Sequence, residues 1–338
     1  MASNGSSLRS PVNVLEYLQS RSSIDYDSLT AKDARELGSF ADCTSNQWEA
    51  YSQLSDAANS DIVQESLDLA KRVHTEYQNL SIQELAVEVA MIRLSLRMIP
   101  LISGSIHVMC NPFYAWDTEQ VYQTGHRFHK ICRQLDPGFD LSRLIMKVPA
   151  TWEGLQACRR LRTDCIKTLA TTLFTMEQAV LAGEAGCISI SPFAHELRAH
   201  LETNYHDSEP VLNLIVQAQR YFKQHGISTK VKSCAFMTSE EIICMAGVDA
   251  MTLPAEVLQE LASMSDLQES LEAKSVFLGS ENGLSAKPTR LSYINDRTGF
   301  LRAFATNGRG KAKTEDALSV FCTFQLKAEE IMKQAGDL

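Results

Sequence analysis

The chain has 338 residues, 44% hydrophobic and 22% charged, which is enough apolar side chain for one large core and the wrong balance for a disordered protein. A net charge of −9 argues against a polyanionic partner, because nucleic-acid binders replace counterions with a basic face and none is legible here. The nine cysteines are odd in number, form no CxxC pair and mostly sit in apolar runs, as do Cys110, Cys165, Cys187 and Cys234, so they read as reduced core thiols. Residues 1–11 are small and polar, expected as a flexible lead without the basic-then-apolar order of a secretory leader. No apolar run approaches the roughly 20 residues of a membrane span, so a cytoplasmic, membrane-free protein is the expectation.

In chain order, short β-rich runs alternate with longer amphipathic stretches. The runs fall at residues 23–27, 39–44, 105–110, 144–148, 166–174, 187–192, 230–236 and 250–253. Helical spacing of apolar residues marks 152–161, 177–184, 211–225 and 239–246, and the stretch 46–98 is long enough for two or three helices. Glycines in "EAGC", "HGIS" and "MAGV" each end a helix just before the next run. Repeated βα units of this number predict a single (β/α)₈ barrel over residues 12–338, with an additional helix at each end. The last helix, over 313–334, carries Val320, Phe321, Phe324 and Leu326 and should cover the barrel or a dimer interface.

Chemistry in such barrels lies at the carboxyl ends of the strands. There, "RLIMKVPATWEG" sets Lys147 between Met146 and Val148, just before Thr151, which can cap the following helix. Burial among hydrophobic neighbours disfavours the ammonium form of a lysine and leaves an amine able to attack a carbonyl. The alternative is a structural lysine paired with a buried carboxylate. Lys167 and Lys232 also lie near strands and are weaker candidates. No glycine-rich phosphate loop or metal-ligand cluster is present in the sequence, so no cofactor or metal is expected.

The stretch "KVPATWEGLQA" resembles the signature of the transaldolase family around its Schiff-base lysine. "DCTSN" is similar to that family's strand-two motif, "WDTEQV" to the start of the helix after strand three, and "TLFTMEQAVLAGEAGCISISPF" to strands five and six. The resemblance implies imine formation at Lys147, a polar pocket including Asn46 and Thr44, and site-lining groups at Thr171 and Ser191. It also implies a proton-transferring aspartate at Asp27, with Asp25 as the alternative one register away, and a homodimer. A small carbonyl compound is the implied substrate.

Departures from the family pattern are equally informative. The strand-three glutamate is replaced by Met109 in "GSIHVMCNPF", and a thioether cannot exchange a proton. His107, two residues earlier, is a candidate substitute, or a core histidine. Leu169 stands at the strand-five asparagine. The two arginines that would grip a sugar phosphate align with Glu196 in "SPFAHEL" and Met237 in "SCAFMTSEE", with Arg198 close enough for partial rescue. Trp48, Trp116 and Phe193 are expected at the mouth. The expected function is therefore making, breaking or transferring an aldol-type carbon–carbon bond on a non-phosphorylated carbonyl compound, in a specialised biosynthetic pathway. Ordinary dihydroxyacetone transfer between sugar phosphates, and a catalytically silent scaffold, are the alternatives.

Overall fold

The computed structural model describes residues 10–278 and 289–337. Eight parallel strands close into a barrel: β1 (Ser23–Tyr26), β2 (Cys43–Thr44), β3 (Ile106–Met109), β4 (Leu144–Pro149), β5 (Lys167–Leu173), β6 (Ser189–Pro192), β7 (Lys230–Ser233) and β8 (Ala250–Leu253), with β1 hydrogen-bonded to both β2 and β8. All eight runs read from the sequence contain a strand; several are trimmed by one or two residues, and two others, 39–44 and 230–236, lose three or more. In β2, Phe40 makes only an isolated bridge to Ile102, because the neighbouring Asp42 turns its carboxylate to the Ser105 backbone N–H at 2.6 Å. In β7 the ladder stops before Ala235, whose φ of 58° lies in the left-handed region that an extended strand cannot use.

The stretch after β2 holds three α-helices, Gln47–Ser55, Ser60–Val73 and Ile82–Leu96. Gly186 and Gly226 end their helices with φ of 81° and 66°, as their sequence contexts predict; a Cβ on Gly186 would meet Arg162 Cδ at 2.3 Å. Before the barrel, helix Val14–Arg21 is capped by Asn13, and the pair Val12–Asn13 runs antiparallel to Ser265–Asp266. After it, helix Gly308–Gly336 begins five residues earlier than expected, where Asn307 accepts a hydrogen bond from the Gly310 N–H at 3.1 Å. Residues 1–9 of the expected lead lie outside the described residues.

One hydrophobic cluster runs from Val14 to Met332. Six cysteines are buried in it, but Cys165, expected among them, is exposed at a helix-to-strand turn with φ of 60°. Inside the barrel the packing is polar. Lys232 Nζ donates to Asp25 Oδ2 at 2.6 Å and to Asp42 Oδ2 at 2.7 Å, and His107 Nε2 lies 3.1 Å from the same Asp42 oxygen. Burial alone would raise the Asp42 carboxyl, but His107 and Lys232 outweigh it and hold it well below the ordinary range. Burial lowers the Lys232 ammonium, yet the two carboxylates reverse this and raise it, so this lysine stays charged.

Lys232→Met should therefore cost about 3–5 kcal/mol, the usual penalty for leaving one side of a buried ion pair uncompensated. Urea unfolding measures this. A loss below about 1 kcal/mol would mean that the aspartates do not depend on Lys232.

Candidate active site

Lys147 sits on β4 with Met109 and Leu169 in register on either side, each 1% exposed. Its sequence neighbours Met146 and Val148 are buried on the opposite face, as the alternation of a strand requires. The side chain is 6% exposed and forms neither a hydrogen bond nor an ion pair among the described residues. It borders a cavity of about 310 Å³ at the carboxyl ends of the strands. Thr151 accepts from the Gly154 N–H at 2.9 Å, capping helix Trp152–Thr163 and fixing the strand end that carries the lysine.

Asp27, Asn46, Ser191 and Phe193 line the same cavity. Thr44 donates its hydroxyl to Asp27 Oδ1, which fixes that carboxylate. Asp25, the alternative aspartate, is instead held in the interior network by Lys232. Asn46 Oδ1 caps the next helix by accepting from the Glu49 N–H at 3.0 Å, and Ser191 Oγ lies 3.2 Å from Cys234 Sγ. The Thr171 hydroxyl is buried without a partner among the described residues. Next to it Thr172 takes φ of 52°, where the β5–β6 register shifts. A β-branched residue there is strained, and such strain collects at functional strand ends.

Several expected residues stand elsewhere. His107 does not border the cavity: fully buried, it keeps a lowered pKa, burial outweighing the Asp42 hydrogen bond, and belongs to the interior network. Met109 and Leu169 pack beside Lys147 without lining the cavity. Glu196 also stays outside, because Lys313 and Arg309 each approach its Oε1 at 3.4 Å and Tyr205 donates to its other oxygen. Met237 is 45% exposed and borders a different depression. Arg198 is occupied by Glu202, with two contacts of 3.0 Å. Trp48 lines the cavity, whereas Trp116, 48% exposed, does not.

The sequence reading missed Glu49, His200, Cys234 and Glu256, all on the cavity wall. Glu49 was hidden by an ordinary role, since a glutamate three residues after a capping asparagine reads as part of a cap. Val320, Phe321 and Phe324 of the C-terminal helix roof the cavity, while Leu326 is 55% exposed. That helix is fastened at its start: Lys313 Nζ donates to Asp207 Oδ2 at 2.8 Å and to the Glu209 carbonyl at 2.6 Å, and Thr314 Oγ1 lies 3.2 Å from Gln178 Nε2.

A strand lysine with no partner among the described residues, bordering one cavity with a fixed aspartate, accords with the family that most of the sequence matches. The profile of the transaldolase/fructose-6-phosphate aldolase family matches residues 21–292. The chain belongs to that family. Its relatives include a transaldolase of Shewanella baltica (strain OS195), 28% identical over 73% of this chain and 76% of the relative. A transaldolase of Edwardsiella ictaluri is 30% identical over 60% and 63% of the two chains. A third, from Fusarium oxysporum f. sp. lycopersici, is 27% identical over 74% and 76%. Among solved structures, a 3-keto-L-gulonate-6-phosphate decarboxylase from Vibrio cholerae aligns over 72% of this chain with a TM-score of 0.41 and 10% identity. As a member of the transaldolase/fructose-6-phosphate aldolase family the protein is a transaldolase-like enzyme. No helix among the described residues is long and apolar enough to cross a membrane.

Proposed function

We propose that the enzyme forms a Schiff base between Lys147 and a non-phosphorylated carbonyl compound, then makes, breaks or transfers an aldol-type carbon–carbon bond. The observation that carries the second half is the charge of the cavity wall. Asp27, Glu49 and Glu256 face it, and among its described lining residues there is no arginine. A phosphate dianion needs charge-assisted forks to offset its desolvation, and here it would meet carboxylates instead. Trp48, Phe193, Phe236, Phe321 and Phe324 supply apolar walls that suit a less polar ligand. The family resemblance supports action as a homodimer, and the composition supports a cytoplasmic setting.

Purified protein should accordingly show little or no turnover of fructose 6-phosphate with erythrose 4-phosphate in a coupled assay. Robust turnover would restore the ordinary transaldolase reaction and require another cation to hold the phosphate.

A further inference from the structure

Imine chemistry needs an acid for a step that Lys147 cannot perform alone. After the amine adds to the carbonyl carbon, the carbinolamine hydroxyl must leave as water, and a proton has to reach that oxygen as the C–O bond breaks. The donor must border the same cavity, be held still, and present an oxygen that no protein group occupies.

Glu49 meets these conditions. It borders the cavity with Lys147, yet the residue is only 5% exposed. A glutamate at the third position of a helix ordinarily reaches back to the cap backbone. Here its Oε1 turns instead to the loop after β1, accepting from the Leu29 N–H at 2.7 Å and the Ser28 hydroxyl at 2.9 Å. The other oxygen, Oε2, accepts no hydrogen bond among the described residues. One oxygen is thus an anchor and the other is available to the cavity. We propose that Glu49 is a catalytic acid and base of this enzyme, giving its proton to the departing hydroxyl and recovering one when water hydrolyses the imine. This rests on the Lys147 reading.

The step balances: carbinolamine and Glu49 carboxylic acid become iminium, Glu49 carboxylate and water. In reverse, the carboxylate takes a proton from the attacking water. The titratable groups around Glu49 are Tyr26 on β1, Asp27 just after it, Cys43 on β2 and Glu256 after β8. Burial pushes the Glu49 carboxyl above the usual range against the Leu29 and Ser28 hydrogen bonds, and Asp27 and Glu256 add to the rise. A carboxyl so placed keeps its proton to higher pH than an exposed glutamate.

Dihydroxyacetone is the probe, with cyanoborohydride to reduce the imine and intact-protein mass spectrometry to follow the adduct across pH. Glu49→Gln keeps an Oε1 acceptor for Ser28 and Leu29, so the fold should hold, while adduct formation should slow by about 10²-fold or more. The wild-type rate should fall as pH rises through the Glu49 titration, and the Gln variant should lack that limb. Glu49→Ala should regain part of the rate when formate is added, a rescue that a merely structural side chain would not permit. An unchanged rate and pH profile in Glu49→Gln, or no formate rescue of a folded Glu49→Ala, would overturn the proposal. Absence of any wild-type adduct would instead remove the Lys147 reading and, with it, this inference.

Discussion

Lys147→Met should give a folded protein that forms no reducible adduct with dihydroxyacetone or with the natural substrate, while the wild type is labelled at Lys147. Methionine keeps the stem length and most of the volume, and the position lies between Met109 and Leu169, so the packing cost should stay below about 1.5 kcal/mol. No partner is left uncompensated, because Lys147 has no ion pair among the described residues. Here the two barrel lysines differ sharply: Lys232 donates to two carboxylates, whereas Lys147 has no such partner among the described residues. Arginine would be a poor probe, being bulkier and permanently charged. Peptide mapping after borohydride reduction locates the label. Equal turnover by wild type and Lys147→Met with one substrate would end the Schiff-base reading.

That contrast also shows what could be read before any coordinates. The place of Lys147 on a strand with apolar neighbours ahead of a capping threonine was legible because these are local signals, while the choice of an imine role over a structural one was implied only by the family resemblance. The eight strands were legible for the same reason, since each run carries its own β-rich pattern and turn residues. What stayed hidden depends on partners far along the chain. His107 could be a base or a core residue until Asp42 and Lys232 were seen to enclose it, 65 and 125 positions away. Glu196 was expected to face a phosphate site because alignment supplies its position and not its direction. In the structure Lys313 and Arg309, more than 100 residues later, draw it off the cavity. A non-phosphorylated substrate is supported instead by Asp27 and Glu256 on the wall and by the lack of an arginine among its described lining residues. Glu49 was missed because a capping motif and a cavity wall place the same residue type at the same helix position.

Asp27→Asn should leave imine trapping intact and slow proton transfer at carbon. The wild-type carboxylate is fixed through Oδ1 by the Thr44 hydroxyl and faces the cavity that holds Lys147. Once the iminium forms, its positive nitrogen acidifies the adjacent C–H. Asp27 can then take that proton, yielding the enamine, and give it to the acceptor's carbonyl oxygen as the enamine forms the new carbon–carbon bond, or return it to carbon before the adduct is released. Asparagine retains an acceptor for Thr44 but cannot serve as the base, so the geometry should persist without the chemistry. Deuterium incorporation into dihydroxyacetone in heavy water, followed by NMR, reads this step without any need to know the natural acceptor. The exchange rate should fall by roughly 10²- to 10⁴-fold, the usual cost of losing a general base. The extent of borohydride-trapped adduct should stay near wild type. Glu49→Gln should show the complementary pattern, slow to form adduct at all, because its proton serves the departing oxygen rather than the carbon. Wild-type deuterium exchange in Asp27→Asn would assign the carbon base to another group on the cavity wall, where Glu49, His200, Cys234 and Glu256 are titratable.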